Sequence, residues 1–485
     1  MRKIQNKAVF LLFVYFGILV SVNSTWVVDA LHIPALISKG VTLMVYLPLI
    51  LAVGYKAFLD AQNMKEAFSK VSNWIYYAFA LYYVALCAFR LANRMEVKEN
   101  VYYSVIFFGA VAIYMLLRDG KISVPKQELE KNLLWIAAFF IVYRLAYVLV
   151  GAKIFLKSPI NINLTTGIVA FLLPFAGNML TNPELDKKKA WLPWAVLCAG
   201  LAVIATSGSR ALFALTGANI AVMLAVTFVR RKGLLRLVTA IAVGCAIVVT
   251  LLAANVGQVR YSVYRQTGID FGAIRSSFET KPTQPPTEAP TQAPTQPTQA
   301  PTQPTQAPTQ APTQAPTQPV QPPTAPTQAP TQYPTMTPTG VSAEQDKAAA
   351  EEQIAASNWM RKRLTQRGIA EIKKNMLFGT GNVLYNYQLG PDYIVVQSSH
   401  NFVIEGLICY GLVGMALIAA LFITLLIETK LFTKMALRRW NDTVVLVLAI
   451  AFYFAFGFVQ PTVFDVFFCP LILLLMLHFR NTVEG

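Results

Sequence analysis

Residues 190–254 read AWLPWAVLCAGLAVIATSGSRALFALTGANIAVMLAVTFVRRKGLLRLVTAIAVGCAIVVTLLAA. Three apolar runs lie in this stretch, at about 190–207, 210–229 and 233–254, and each is near the roughly 20 residues that a helix needs to cross the hydrocarbon of a bilayer. A tight Ser-Gly-Ser turn joins the first pair, and the basic triplet Arg230-Arg231-Lys232 joins the second. Connections this short make neighbouring helices antiparallel. One connection is polar and the other basic, as expected of a chain that crosses a membrane and returns.

The same reading extends outward. Further runs fall at about 8–26, 38–57, 72–92, 100–117, 132–151 and 160–180 on the N-terminal side, and at 402–427, 443–460 and 461–479 on the C-terminal side. Composition agrees: of 485 residues 55% are hydrophobic and 13% charged, with a mean hydropathy of +0.48, a balance that a water-soluble domain would not tolerate. The expected fold is an all-α polytopic membrane protein of about 12 transmembrane helices with one large extracytoplasmic loop. Its parts are a first bundle over 1–258, a loop over 259–401 and a second bundle over 402–485. The run from Phe10 to Val20 follows Arg2, Lys3 and Lys7 as a signal peptide would, but lacks a small-residue cleavage pattern and reads as a retained first helix.

The formal charge of +17 is scattered between apolar runs and forms no stripe, so no nucleic-acid partner is expected. Basic residues concentrate in alternate short connections, among them Lys187, Lys188, Lys189, Arg230, Arg231, Lys232, Arg438 and Arg439. The positive-inside rule then puts both termini in the cytoplasm, in a multi-pass plasma-membrane protein, and puts about 255–400 outside. The five cysteines, Cys87, Cys198, Cys245, Cys409 and Cys469, sit within apolar runs without CxxC spacing, so neither a disulfide framework nor a zinc site is expected.

Within the loop, 281–339 repeats Pro-Thr-Gln with variants such as Gln-Ala-Pro-Thr, a low-complexity linker with almost nothing to bury. Ser342-Ala343-Glu344-Gln345 then has the form of a capping box, and the alanine-rich run after it predicts a basic helix over 343–375. Met360, Leu364, Gly368, Ile372 and Met376 form an apolar stripe on that helix, between faces carrying Arg361, Lys362, Arg363, Arg367, Lys373 and Lys374. Such a helix either lies on the bilayer or caps the bundle.

The chemistry-bearing residues cluster at the outer face. His400, one of three histidines, sits where the loop meets a span, a position suited to a general base with a pKa near neutral; the plainer alternative is a helix cap or interfacial anchor. Arg210 stands in an outside turn, on the side that topology keeps poor in positive charge, and is either functional or a snorkelling cation. Arg260 and Arg265 follow the ninth run and suit diphosphate or lipid headgroups. Glu405 lies inside a span, either orienting His400 or hydrogen-bonding within the bundle, and Arg144 suits an ion partner inside the bundle. With no DxD pair and no His/Cys cluster outside, no metal and no cofactor is expected.

Two motifs resemble those of one family. His400-Asn401, nine intervening residues, then Gly411-x-x-Gly414 is similar to the signature of the O-antigen ligase and polymerase superfamily, whose members are membrane glycosyltransferases. The preceding Arg361-x-Arg363 and Asn375-Met376-Leu377-Phe378-Gly379-Thr380-Gly381 resemble that family's arginine helix and its P-L-x-G-x-G run, with Met376 in place of the proline. Thr206-Ser207-Gly208-Ser209-Arg210-Ala211 resembles its S-x-S-R turn.

The resemblance implies transfer of a glycan from undecaprenyl diphosphate to an acceptor hydroxyl on a glycan, lipid or protein, in surface polysaccharide biosynthesis. It implies catalytic roles for His400, Arg210, Arg361 and Arg363 and a structural role for Gly379, Gly381, Gly411 and Gly414; Arg260, Arg265 and Asn401, placed near these motifs, are the candidate substrate contacts. A repeat-unit polymerase of the same superfamily is the nearest alternative, and the short connection at 152–159 favours the ligase. From another class, a secondary transporter fits the hydropathy, but the halves 1–240 and 241–485 show no internal repeat.

Overall fold

In a computed structural model of the chain, the described residues are 2–22, 34–93, 98–146, 162–182, 185–186, 188–230, 233–254, 257–269, 343–380, 385–390, 393–397, 401–460 and 462–484. The linker 281–339, the connection 152–159, Gly381 and His400 lie outside them.

Each apolar run contains a helix: α1 (Arg2–Val22), α2 (Ala35–Gln62), α3 (Val71–Ala92), α4 (Lys98–Arg118), α5 (Lys126–Ala146), α6 (Ile162–Thr181), α7 (Trp191–Ala205), α8 (Arg210–Arg230) and α9 (Leu234–Ala253). The loop contributes α10 (Gly257–Thr267) and α11 (Ala343–Lys374), and the chain ends with α12 (Phe402–Glu428), α13 (Trp440–Gly457) and α14 (Phe468–Glu484). Seven helices are long and apolar enough to cross a membrane, within α2, α3, α6, α8, α9, α12 and α13. The apolar parts of α1, α4, α7 and α14 are shorter. The fold is that of an all-α membrane protein, and such helices satisfy their backbone polar groups internally, as hydrocarbon demands.

Among the seven helices of spanning length α6 is the most buried: 83% of its apolar window is inside the bundle. It packs on α5, α7, α8, α9 and α13. Beside it lies α14, which buries nearly every residue from Phe468 to Phe479, and α1, packed on α2 and α5, buries Phe13 and Phe16. By contrast α2, α3 and α9 expose most of their apolar side chains, including Leu43, Leu51, Leu81, Val84 and Val249. An apolar residue on the rim of a membrane bundle meets lipid at no cost, so this division puts α6 in the core and α2, α3 and α9 at the periphery.

Two features differ from the sequence expectation. The run at 461–479 is not one helix: a 3-10 turn at Thr462–Phe464 comes first, and Asp465 then accepts hydrogen bonds from the amides of Phe467 and Phe468 at 2.8 and 3.0 Å, starting α14 at Phe468. The loop also adds a two-stranded antiparallel hairpin, β1 (Tyr385–Gly390) and β2 (Tyr393–Gln397), with Tyr387 opposite Val395. The all-α expectation therefore holds for the bundle, and the loop departs from it at one hairpin. Helix α11 begins and ends within a residue of its predicted range and caps the bundle, resting on α10 and α12. Of its apolar stripe, Leu364 and Gly368 are buried and Met376 is exposed.

Candidate functional site

The turn between α7 and α8 sets the first catalytic candidate. Gly208 takes a left-handed φ of 67°, which an L side chain rarely adopts, and lets the chain reverse within four residues. The Ser207 hydroxyl accepts from the Ser209 amide at 3.2 Å and donates to the Ile204 carbonyl at 2.8 Å. Arg210 follows as the first residue of α8. Three further contacts fix the turn: the Ser262 hydroxyl and the Arg144 guanidinium both donate to the Thr206 carbonyl, at 3.0 and 3.3 Å, and the Gln266 amide donates to the Ile204 carbonyl at 2.9 Å. The buried Arg144 therefore helps to hold the turn.

Helix α10 presents Arg265 to the same place, and α11 presents Arg361. An open cleft with an empty volume of about 520 Å³ is lined by Arg210, Arg265 and Arg361 together with Asn163, Ser209, Ser357 and Gln460. Among the described residues no carboxylate forms an ion pair with any of the three arginines. Arg210 donates to the side-chain oxygen of Asn358 at 3.3 Å, a neutral partner. Partial desolvation in the cleft, then the like charges of Arg210 and Arg265, lower the pKa of the otherwise exposed Arg361 from its usual value. Uncompensated guanidiniums in one cleft form a receptor for a polyanion, because each offers a planar fork of donors matched to phosphate oxygens.

Not every candidate joins them. Arg363, two residues from Arg361, points elsewhere on the helix and stacks on Trp359 with 4.8 Å from guanidinium to ring centroid. Arg260 lies on α10, whose side chain there is not among those described. The Asn401 side-chain oxygen accepts from the amides of Val403 and Ile404 at 3.0 and 3.2 Å, so it caps α12. That cap sits beside the cleft: Phe402 packs on Phe454 and Phe458 of the segment whose Phe456, Val459 and Gln460 line it. Glu405 is fully buried in the first turn of α12.

The glycines form a joint beneath the loop. Gly411 breaks α12 with φ 60° and ψ −170°, a region open only to glycine, and Gly379 has φ 72°. Their backbones touch: a Cβ on Gly411 would lie 2.3 Å from the Leu377 carbonyl oxygen, and one on Gly379 would lie 2.6 Å from the Gly411 nitrogen. Amides freed by the break find new partners, Leu412 donating to Met376 at 2.9 Å and Val413 to Leu377 at 3.1 Å, while Thr380 donates to Ile408 at 2.6 Å. Tyr82 completes the joint with bonds to the carbonyls of Phe378 and Tyr410, at 2.9 and 2.7 Å. Gly414 makes room for the Tyr82 and Tyr410 rings.

Sequence reasoning missed Gln460, Asn163 and Ser357 as cleft residues. A buried glutamine between the apolar end of α13 and a proline was a usable signal, whereas Asn163 and Ser357 carry none. No metal-binding group of three or more His, Cys, Asp or Glu occurs among the described residues. Compared with family models, curated proteins and solved structures, the chain matches none.

Proposed function

We propose that the protein is an O-antigen ligase-like glycosyltransferase of the plasma membrane, moving a glycan from undecaprenyl diphosphate to an acceptor hydroxyl on the outer face. In this reading all twelve apolar helices span the membrane, both termini are cytoplasmic and the segment between α9 and α12 is extracytoplasmic. The observation that carries it is the convergence of Arg210, Arg265 and Arg361, from three elements distant in sequence, on one polar cleft at the end of the bundle away from the Arg230 and Arg438-Arg439 connections.

The reaction explains why such a cleft needs arginines. The acceptor oxygen attacks the anomeric carbon, the bond from that carbon to the diphosphate breaks, and its electron pair leaves with undecaprenyl diphosphate. Arg210, Arg265 and Arg361 stabilise the negative charge that grows on the departing oxygens, in a partly desolvated site where it matters most. The acceptor proton passes to His400, one residue before the Asn401 cap that stands beside the cleft wall. Arg144, Ser262 and Gln266 keep the Arg210 turn in place.

The test is transfer by the purified full-length protein from an undecaprenyl-diphosphate-linked glycan to an acceptor, with chelator present. His400→Ala should lower turnover by about 10²-fold or more while leaving donor binding and thermal unfolding unchanged. Normal turnover in His400→Ala removes it as the base. Solute uptake into vesicles without any glycan product points instead to a transporter.

A further inference from the structure

At the opposite end of the bundle, where α5 and α13 begin and α6 and α8 end, a second polar cavity opens with an empty volume of about 1060 Å³. Four cations line it: Lys126, Arg230, Arg438 and Arg439. Two carboxylates also face it, and both already have partners. Glu130 hydrogen-bonds the imidazole of His478 at 2.9 Å, and Asp442 accepts from the Asn178 amide at 2.8 Å. His478 is 6% exposed and meets the Phe175 ring edge to face at 5.2 Å, so the floor of the cavity is a fixed, hydrogen-bonded surface. Among the described residues none of the four cations has an ion pair. The glycan-transfer reading uses none of these residues.

The surroundings say what kind of anion fits. A neighbouring open cavity shares Lys126 and Glu130 and runs to Trp135 and Trp191. Their rings pack at 6.2 Å, and both residues are exposed on the flank of the bundle. Exposed tryptophans of this kind sit at headgroup depth, where the ring meets acyl chains and its N–H meets water. An anion reaching the four cations from that flank comes from the membrane, and basic pockets between transmembrane helices on the cytoplasmic side suit phosphate-bearing headgroups. We propose that this cavity binds the phosphate of an anionic phospholipid, with Arg230, Arg438 and Arg439 gripping its oxygens above the His478–Glu130 floor.

Native mass spectrometry of the full-length protein, titrated with phosphatidylglycerol in neutral detergent, tests this. Replacing Arg230, Arg438 and Arg439 together by Gln should weaken the tightest lipid adduct by about tenfold or more, since each basic group near a membrane surface adds appreciably to anionic lipid binding. Replacing exposed Lys7, Lys65 and Lys434 by Gln removes as much charge from the same end without touching the cavity, and should change binding less than about twofold. Arg439→Gln alone should give an intermediate loss, which guards against a misfolded triple variant. Equal losses in the two triple variants, or none in the first, overturn the proposal. Displacement of the lipid by millimolar inorganic phosphate assigns the cavity to a soluble phosphate and overturns the lipid source.

Discussion

Two groups of cations at opposite ends of the bundle show what pairing does to a charge. Arg118, at the end of α4, is 7% exposed and fully engaged: it donates to Asp119 at 2.7 Å, to the Ser72 hydroxyl at 2.7 Å and to Glu428 at the end of α12. Lys70 adds a bond to Asp119 at 2.6 Å, and Ser72 one to Glu428 at 2.6 Å. Arg210, Arg265 and Arg361 share a cleft with no carboxylate partner among the described residues. In the first set the neighbours neutralise the charge, which ties α3, α4 and α12 together. In the second set the charge is left over and is available to a ligand.

Substitutions should therefore act in opposite currents. The largest structural effect is expected from Arg118→Ala, which leaves Asp119 to Lys70 and Glu428 to the Ser72 hydroxyl beside a buried void; about 3 kcal/mol of stability should be lost, read by thermal unfolding in detergent. Burial alone raises the Asp119 pKa, but Arg118 and Lys70 outweigh it and hold the carboxyl below its ordinary value. A depressed carboxylate contributes stability above its unfolded pKa of about 3.9 and loses it only as pH falls through the lower folded value, so the Arg118→Ala loss should be the same at pH 6 and pH 8.

At the other end, Arg210→Lys should lower glycan transfer by about 10²-fold, because an ammonium cannot bind two phosphate oxygens in a fork, and should leave the unfolding temperature unchanged. A variant with normal turnover takes Arg210 out of the site. The smallest effect is at the seam between bundle and cleft: Asn401→Ala should cost about 1 kcal/mol as a lost helix cap, and Asn401→Asp should restore it. Failure of aspartate to restore stability would show that Asn401 acts through something other than its cap.

How much of this the sequence disclosed depended on how local the cause was. Hydrophobic length fixed the positions of the helices, and the Ser342 to Gln345 capping box with the alanines after it fixed α11 almost to the residue. Asn401 was equally local, since an asparagine directly before an apolar run is a cap signal, yet the neighbouring His400 drew the functional reading onto both. The β-branched run Ile394-Val395-Val396 after Gly390-Pro391 marked a hairpin that the helical context hid. The convergence of Arg265 and Arg361 on Arg210 was not local at all. It depends on α10 and α11 folding back over the α7–α8 turn, held by the Gly379–Gly411 joint and by the Tyr264 hydroxyl donating to Glu351 at 2.8 Å. Hydropathy carries no trace of such a contact, and the family-like motifs contain Arg210 and Arg361 but not Arg265.

The most direct measurement is the affinity of the purified protein for undecaprenyl diphosphate before and after Arg361→Gln, with Arg363→Gln as the companion. Both substitutions remove one positive charge from the same turn of α11, but only Arg361 lines the cleft. Arg361→Gln should weaken the affinity at least about tenfold with an unfolding temperature unchanged or raised, because a repelled cation has gone, and Arg363→Gln should keep a near-normal affinity. Equal affinities in Arg361→Gln and the unsubstituted protein would contradict it.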